Sequence, residues 1–184
     1  LGRGDGCRRG FRGADRLGDR VVLARGLGLR LGLRRGGGRT RRLGRADLSE
    51  PARLWLYLRF DVEMLCSAPY DCTWLLSHGS LNDERMAGYW TERQKLIAWL
   101  TTRIKQGQSK GEIRDCDAAA AAKALLAATE YSVTWAERES RKRMIGNAEE
   151  VATLLVRGLL APECDFAAVM QEVRDASGVF LSAN

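Results

Sequence analysis

The sequence predicts an all-α fold, because apolar residues recur at helical spacing from residue 49 onward and no strand pattern competes with them. β-Branched residues are sparse, and no alternation of apolar and polar residues extends over five positions. Capping residues, glycines and prolines divide this stretch into six helical segments. We therefore predict one helical domain over residues 47–178, preceded by a leader over 1–46 and followed by a short tail over 179–184.

The first helix is predicted over residues 50–66, with Ser49 as its N-cap and Pro51 in its first turn, where the missing N–H costs little. This segment is apolar almost all round, so we expect protein on every side of it. Pro69 then breaks the chain, since the residue before a proline avoids the α region. A short aromatic helix is predicted over residues 70–78.

The longest helix is predicted over residues 83–106, with Asn82 as its N-cap and Gly107 as the residue that follows its end. Most of its large apolar side chains recur every three or four positions and therefore share one face. The members of that face are Met86, Tyr89, Trp90, Arg93, Ile97, Leu100 and Ile104.

A fourth helix is predicted from the alanine run that begins at Ala118 to about Ser140. Either Asp115 or Asp117 is placed to cap it.

Two further helices complete the predicted domain. A polar link with Gly146 precedes the fifth helix, for which Asn147 and Glu150 form a pair that resembles a capping box. The sixth helix is predicted to begin with Pro162 at its first position and to end at Gly178.

The positive charge is concentrated in the leader. Residues 1–46 hold 14 Arg, three Asp and 13 of the 20 Gly, a net charge of +11, so the remaining residues carry −4 of the total of +7. Such a composition cannot bury enough apolar surface to fold, and we expect a disordered segment. Arg, Gly and Leu all have GC-rich codons, so we expect a non-native or mistranslated leader; the alternative is an authentic tail that binds RNA or DNA.

Several classes of protein are excluded by composition. No apolar run approaches the ~18–20 residues that span a bilayer. Five Cys with no CxxC pair argue against a disulfide framework, and we expect reduced thiols and a cytoplasmic location. With a single His in the chain, we predict no enzyme, no metal and no cofactor. A small helical enzyme using Cys66 and His78 remains the weaker alternative.

Three phrases resemble the C-terminal ligand-binding and dimerisation domain of the TetR family of bacterial transcriptional regulators. They are LCSAPYDCTWLL at 65–76, GQSKGEIRDCD at 107–117 and VATLLVRGLL at 151–160. The resemblance implies a transcriptional regulator, and we expect a repressor. In the intact family protein the further partner is operator DNA, read by an N-terminal helix-turn-helix. Residues 1–46 contain no such pattern, so we expect no sequence-specific operator binding by this chain.

The resemblance also implies a homodimer, in which helices over residues 116–140 and 147–160 pair with their twofold mates. The small residues of these segments would allow helices to approach closely, although packing within one chain would explain them too. The predicted dimerisation residues are Leu125, Thr129, Val133, Val151, Leu154, Leu155 and Gly158.

All five Trp and all four Tyr lie between residues 55 and 135. Core packing accounts for most such residues, but Trp and Tyr also suit pockets that orient a ligand. We predict a pocket for a small hydrophobic or aromatic effector among the first four helices, with Arg93 paired either with a ligand carboxylate or with Glu130. The predicted lining is Phe60, Met64, Trp74, Tyr89, Trp90 and Tyr131, with Arg93 as the polar anchor.

Overall fold

The computed structural model describes residues 48–66, 84, 87–132, 134 and 141–181, the side chains of 141–142 and 177–181 excepted. These residues form five α-helices, and the all-α prediction is confirmed. The helices are α1 (Glu50–Cys66), α2 (Ala87–Ser109), α3 (Ala118–Tyr131), α4 (Arg141–Arg157) and α5 (Phe166–Leu181). The predicted leader and the predicted helix at 70–78 lie outside the described residues.

Helix α1 is the centre of the domain and contacts each of the other four helices. Its Leu54, Leu58 and Val62 side chains are completely buried, as expected for a helix with apolar residues on every side. Helix α4 packs along one flank, where Trp55 Nε1 donates a hydrogen bond to Thr153 Oγ1 at 3.1 Å. The other helices therefore take their positions from α1.

The predicted start of α1 is confirmed. Ser49 Oγ accepts a hydrogen bond from the Ala52 N–H at 3.3 Å, and the Ser49 carbonyl accepts one from the Arg53 N–H at 3.0 Å. Pro51 lies in the first turn, where no intrahelical donor is needed.

The predicted end of α2 is wrong, because the helix continues past Gly107 to Ser109. Gly107 is needed for space rather than for backbone conformation: a Cβ there would lie 2.5 Å from Ile113 Cδ1. The left-handed residue is instead Gly111, with φ of 71°. The sequence placed a glycine at the turn correctly but could not show which of the two glycines reverses the chain. The predicted N-cap, Asn82, lies outside the described residues.

We expect Gly107→Ala to lower the free energy of unfolding by about 1–3 kcal/mol, because the new methyl group would overlap the Ile113 side chain. The better helix propensity of alanine, about 1 kcal/mol, offsets part of this loss. Gly146→Ala is the matched control, since a Cβ at this α4 position meets nothing within 4 Å and should stabilise the helix. Urea unfolding of both variants checks the prediction, and equal stabilisation of both would contradict it.

Asp117, rather than Asp115, caps α3. Its Oδ1 accepts hydrogen bonds from the N–H groups of Ala119 at 2.8 Å and Ala120 at 3.0 Å. These two bonds hold the pKa of the Asp117 carboxyl below its usual value. The helix ends at Tyr131, short of the predicted Ser140, which lies outside the described residues.

The predicted start of α4 is also wrong. The helix begins at Arg141, so that Gly146, Asn147 and Glu150 all lie inside it and no capping box forms. An interior glycine costs about 1 kcal/mol. Contact with α1 offsets that cost, because Ala148 and Ala152 are completely buried.

The last helix, α5, begins at Phe166 rather than at Pro162, which lies in the preceding turn. Asp165 Oδ1 accepts a hydrogen bond from the Ala167 N–H at 2.8 Å and so serves as the cap. The helix also passes the predicted stop at Gly178 and ends at Leu181. Buried Val169 and Val173 belong to the core that this helix shares with α1.

Candidate functional site

Polar side chains from α2 and α3 meet at one place where these two helices pack together. Arg93 binds Glu130 through two hydrogen bonds, from Nε to Oε1 and from Nη2 to Oε2, each 2.7 Å long. The Tyr89 hydroxyl donates a third hydrogen bond to Glu130 Oε1 at 3.0 Å. The sequence left two partners open for Arg93, a ligand carboxylate or Glu130, and in the structure Arg93 is paired with Glu130.

These bonds fix the protonation of the groups that make them. Hydrogen bonding to Glu130 raises the pKa of the Arg93 guanidinium above its usual value. Burial, and then the Glu130 charge, raise the pKa of the Tyr89 hydroxyl. Arg93 therefore remains a cation, and Tyr89 remains a hydrogen-bond donor.

The aromatic ring of Trp90 lies beside this polar group. Its centroid is 4.9 Å from the Tyr89 ring at an interplanar angle of 74°, an edge-to-face arrangement. The Arg93 guanidinium carbon lies 5.7 Å from the Trp90 centroid, within the range of a cation–π contact. Trp90 therefore helps to orient the charged side chain.

A buried acid on α1 faces the same region. Asp61 is only 2% exposed, and burial raises its pKa from 3.8 to about 7; the nearby Glu130 charge also raises it, whereas the Thr129 and Tyr57 hydroxyls lower it. The Thr129 and Tyr57 hydroxyls act on the Asp61 carboxyl as hydrogen-bond partners, although among the described residues the contact between Tyr57 Oη and Asp61 Oδ2 falls short of good hydrogen-bond geometry. Burial raises the pKa of Tyr57 well above its usual value, as do the charges of Asp61 and Glu130.

The structure therefore brings together three of the predicted pocket residues, Tyr89, Trp90 and Arg93. The others are placed differently. Phe60 is 38% exposed and Met64 is half-buried on α1, Tyr131 is 58% exposed at the end of α3, and Trp74 lies outside the described residues.

Sequence reasoning did not place Tyr57 and Asp61 at this site, and it assigned Thr129 to the dimer interface instead. One signal could have found Asp61: it is an acid in the second half of a helix whose other residues are mostly apolar, one turn after Tyr57. Such a position favours burial but does not require it, because Glu63 of the same helix is only half-buried.

The residues predicted for dimerisation are divided between the core and the surface. Leu125 and Thr129 are 3% and 0% exposed and pack within the chain's own core. Leu154 is 62% exposed and Gly158 is exposed, whereas Val151 and Leu155 are half-buried against core residues. Val133 lies outside the described residues.

The alternative of Cys66 and His78 as catalytic groups has little support at Cys66. This thiol is buried, and its Sγ lies 3.4 Å from the Ser132 carbonyl oxygen, to which it donates. Cys72 and His78 lie outside the described residues. In the described part of the chain, no three potential ligand residues cluster as a metal site would require. No described helix is long and apolar enough to cross a membrane.

Comparison with known proteins gives one match. Residues 47–159 match the family model described as "Tetracyclin repressor-like, C-terminal domain". A search of the curated proteins found no match, and a search of the solved structures found none either.

Proposed function

The chain belongs to the tetracyclin repressor-like family through its C-terminal domain, and on that premise we propose that it is a transcriptional repressor whose helical domain binds a small hydrophobic or aromatic effector and forms a homodimer. Domains of this family are regulatory rather than enzymatic. The buried, hydrogen-bonded Cys66 thiol is also better suited to packing than to nucleophilic attack.

The main support for the effector site is the cluster at Glu130, near the buried acid Asp61. Tyr89 and Arg93 both hydrogen-bond to Glu130, and Trp90 packs on Tyr89. Polar groups beside aromatic rings are typical of sites that orient small molecules. Perturbed pKa values, such as that of Asp61, also concentrate at functional sites.

Regulation would follow from a difference in affinity between two conformations of the dimer. Two DNA-reading heads of an intact regulator must lie about one helical turn (~34 Å) apart to contact successive major grooves. An effector that binds more tightly to a dimer whose heads have a different separation lowers the affinity for DNA. The loss is set by the difference between the effector's affinities for the two conformations. The site lies between α2 and α3, with Asp61 on α1, so ligand contacts there can change how these helices pack.

Titration of aromatic amphiphiles tests the effector site. Binding should change the tryptophan fluorescence and raise the melting temperature, and Trp90→Phe should remove much of the fluorescence change. Trp55→Phe is the matched control, because Trp55 lies at the contact with α4. Unchanged fluorescence and melting temperature with all ligands would count against the site.

The dimer surface that we propose combines the outward faces of α3 and α4. Helix α4 exposes Leu154 and Gly158, and α3 exposes Ala120, Ala124 and Ala127. Leu154 is a large exposed leucine one turn from Gly158, and the three alanines of α3 are small, so each of the two surfaces is suited to close packing against a second copy.

We expect Leu154→Arg to weaken the dimer by about tenfold or more, because a charge would be buried at the centre of the interface. Gln94→Arg is the control, since Gln94 is exposed on α2 and the change adds the same charge. Sedimentation equilibrium measures both variants. A wild-type protein that sediments as a monomer, or equal association of the two variants, would refute this interface.

A further inference from the structure

The outward face of α4 has opposite charges on either side of an exposed leucine. Glu150, Leu154 and Arg157 are all exposed, and Leu154 is 62% exposed. Seven residues make about two turns of an α-helix, so Glu150 and Arg157 lie on the same face, about 10.5 Å apart along the helix axis. Leu154, one turn after Glu150, lies between the two charges.

Neither charge is neutralised by a neighbour in the described part of the chain, where no side chain forms an ion pair with Glu150 or Arg157. The Arg157 guanidinium carbon lies 4.5 Å from the centroid of the Phe166 ring. This stacking uses the flat face of the guanidinium group, whereas its N–H donors point outward from the edge. Arg157 is therefore held in place and still able to bind a carboxylate.

Gly158, one turn after Leu154, has no side chain that would keep a second helix away. Its φ is not positive, and a Cβ there would lie at ordinary contact distances, 3.4 Å from the Leu154 carbonyl oxygen and 3.5 Å from that of Leu155. Neither backbone conformation nor space within the described chain therefore requires a glycine at this position. Glycine does, however, permit another backbone to approach closely.

The order of these residues favours one orientation of two copies. If α4 lay parallel to its mate, Glu150 would face the partner's Glu150, and Arg157 would face the partner's Arg157. If the two helices cross in antiparallel orientation about Leu154, Glu150 lies opposite the partner's Gly158 and next to the partner's Arg157. A twofold axis produces this contact twice, once from each copy. Like charges placed opposite each other disfavour the parallel arrangement.

We propose that α4 crosses its mate in antiparallel orientation about Leu154, with two reciprocal ion pairs between Glu150 of each copy and Arg157 of the other. This inference rests on the homodimer of the proposed function, and it assigns the orientation of the dimer and the charges that select a second copy of this chain. Pairing of Glu150 with the partner's Arg143 would instead centre the crossing near Gly146 and leave Leu154 outside it. Arg143 also has an interaction elsewhere in its own chain.

Charge reversal tests the pairing, with association of the full chain measured by sedimentation equilibrium. Glu150→Arg and Arg157→Glu should each self-associate about tenfold or more weakly than the wild type, because two attractive contacts become repulsive. An equimolar mixture of the two variants should restore a dimer, since arginines at both positions of one chain then face glutamates at both positions of the other. The double variant should also recover, to within about threefold of the wild-type affinity.

Arg143→Glu provides the matched control, because it makes the same reversal seven residues before Glu150 on the same helix face. Combined with Glu150→Arg in one chain, it should leave association as weak as that of Glu150→Arg alone. Circular dichroism and the melting temperature establish that each variant is folded.

The possible failures are distinguishable. If the wild type sediments as a monomer, the proposed homodimer and this inference are both overturned. Suppose instead that the wild type is a dimer that Leu154→Arg weakens. If the mixture of Glu150→Arg and Arg157→Glu then fails to associate, or if Arg143→Glu rescues Glu150→Arg as well as Arg157→Glu does, the assigned orientation is wrong and the homodimer stands.

Discussion

Asp61→Asn is expected to stabilise the ligand-free protein at pH 8 and to have little effect at pH 4. The folded-state pKa of Asp61 is about 7, against 3.8 for an ordinary aspartate. Between pH 3.8 and pH 7, Asp61 is therefore mostly protonated in the folded protein and mostly ionised in the unfolded chain. The contribution of Asp61 to the free energy of unfolding is greatest below pH 3.8, falls as the pH rises from 3.8 to 7 and levels off above pH 7. The loss is on the order of 4 kcal/mol, because each pKa unit corresponds to about 1.4 kcal/mol.

Urea unfolding of the wild type and the variant, at matched protein concentration across this pH range, measures the effect. Other carboxylates titrate in both proteins, so the difference between the two curves isolates Asp61. Asparagine cannot ionise, and the variant should gain stability relative to the wild type as the pH rises. Asp115→Asn is the control, because it makes the same change of side chain at an exposed position outside the core. A pH-independent difference for Asp61→Asn would show that the carboxyl is not buried as described.

Local sequence signals identified the helices but not all of their ends. Ser49 and Asp117 cap helices as their side chains predict, because the bonds involved lie within three residues along the chain. Asn147 is an equally good capping residue, yet α4 runs through it. The difference is tertiary: Ala148 and Ala152 lose all their exposure within the fold, and this burial favours a longer helix that extends through Gly146.

The candidate site was only partly predictable for a similar reason. The sequence placed Arg93 on the inward face of its helix and named Glu130 as one of its two possible partners, the other being a ligand carboxylate. Tyr89 and Glu130 are 41 positions apart, and Asp61 is further still from Thr129, with which it interacts. Contacts of this kind depend on how helices cross, and a single sequence does not contain that information. The contact between Asp61 and Thr129 therefore emerges only from the packed structure.

A second buried acid, Glu50, lies at the first position of α1 and is only 2% exposed. Its carboxylate is 3.4 Å from Arg53 Nε, 3.6 Å from Arg103 Nη1 and 3.5 Å from Lys110 Nζ. These cations come from α1, from α2 and from the turn after α2. Glu50 therefore ties the start of the central helix to its neighbour at the point where residues 1–47 join the domain.

Other bonds fix the same point. The Glu50 N–H donates to Glu112 Oε2 at 2.9 Å, and the Ser49 N–H donates to Glu172 Oε2 at 2.8 Å. Carboxylates at a helix N-terminus are also favoured by the helix dipole. The start of α1 is thus held by the turn after α2 and by α5, through bonds that span 62 and 123 residues.

We expect Glu50→Ala to lower the free energy of unfolding by about 3–5 kcal/mol, because it removes the buried carboxylate that pairs with Arg53, Arg103 and Lys110. Glu149→Ala is the matched control. Glu149 binds Arg59 at 3.2 Å but is 51% exposed, and a solvent-screened pair contributes about 0–1 kcal/mol. Urea unfolding at about pH 7 compares the two losses. Both substitutions remove a glutamate that pairs with arginine, but Glu50 is buried and also lies near Arg103 and Lys110. The difference between the two losses therefore measures burial together with these additional contacts, and equal losses would contradict the prediction.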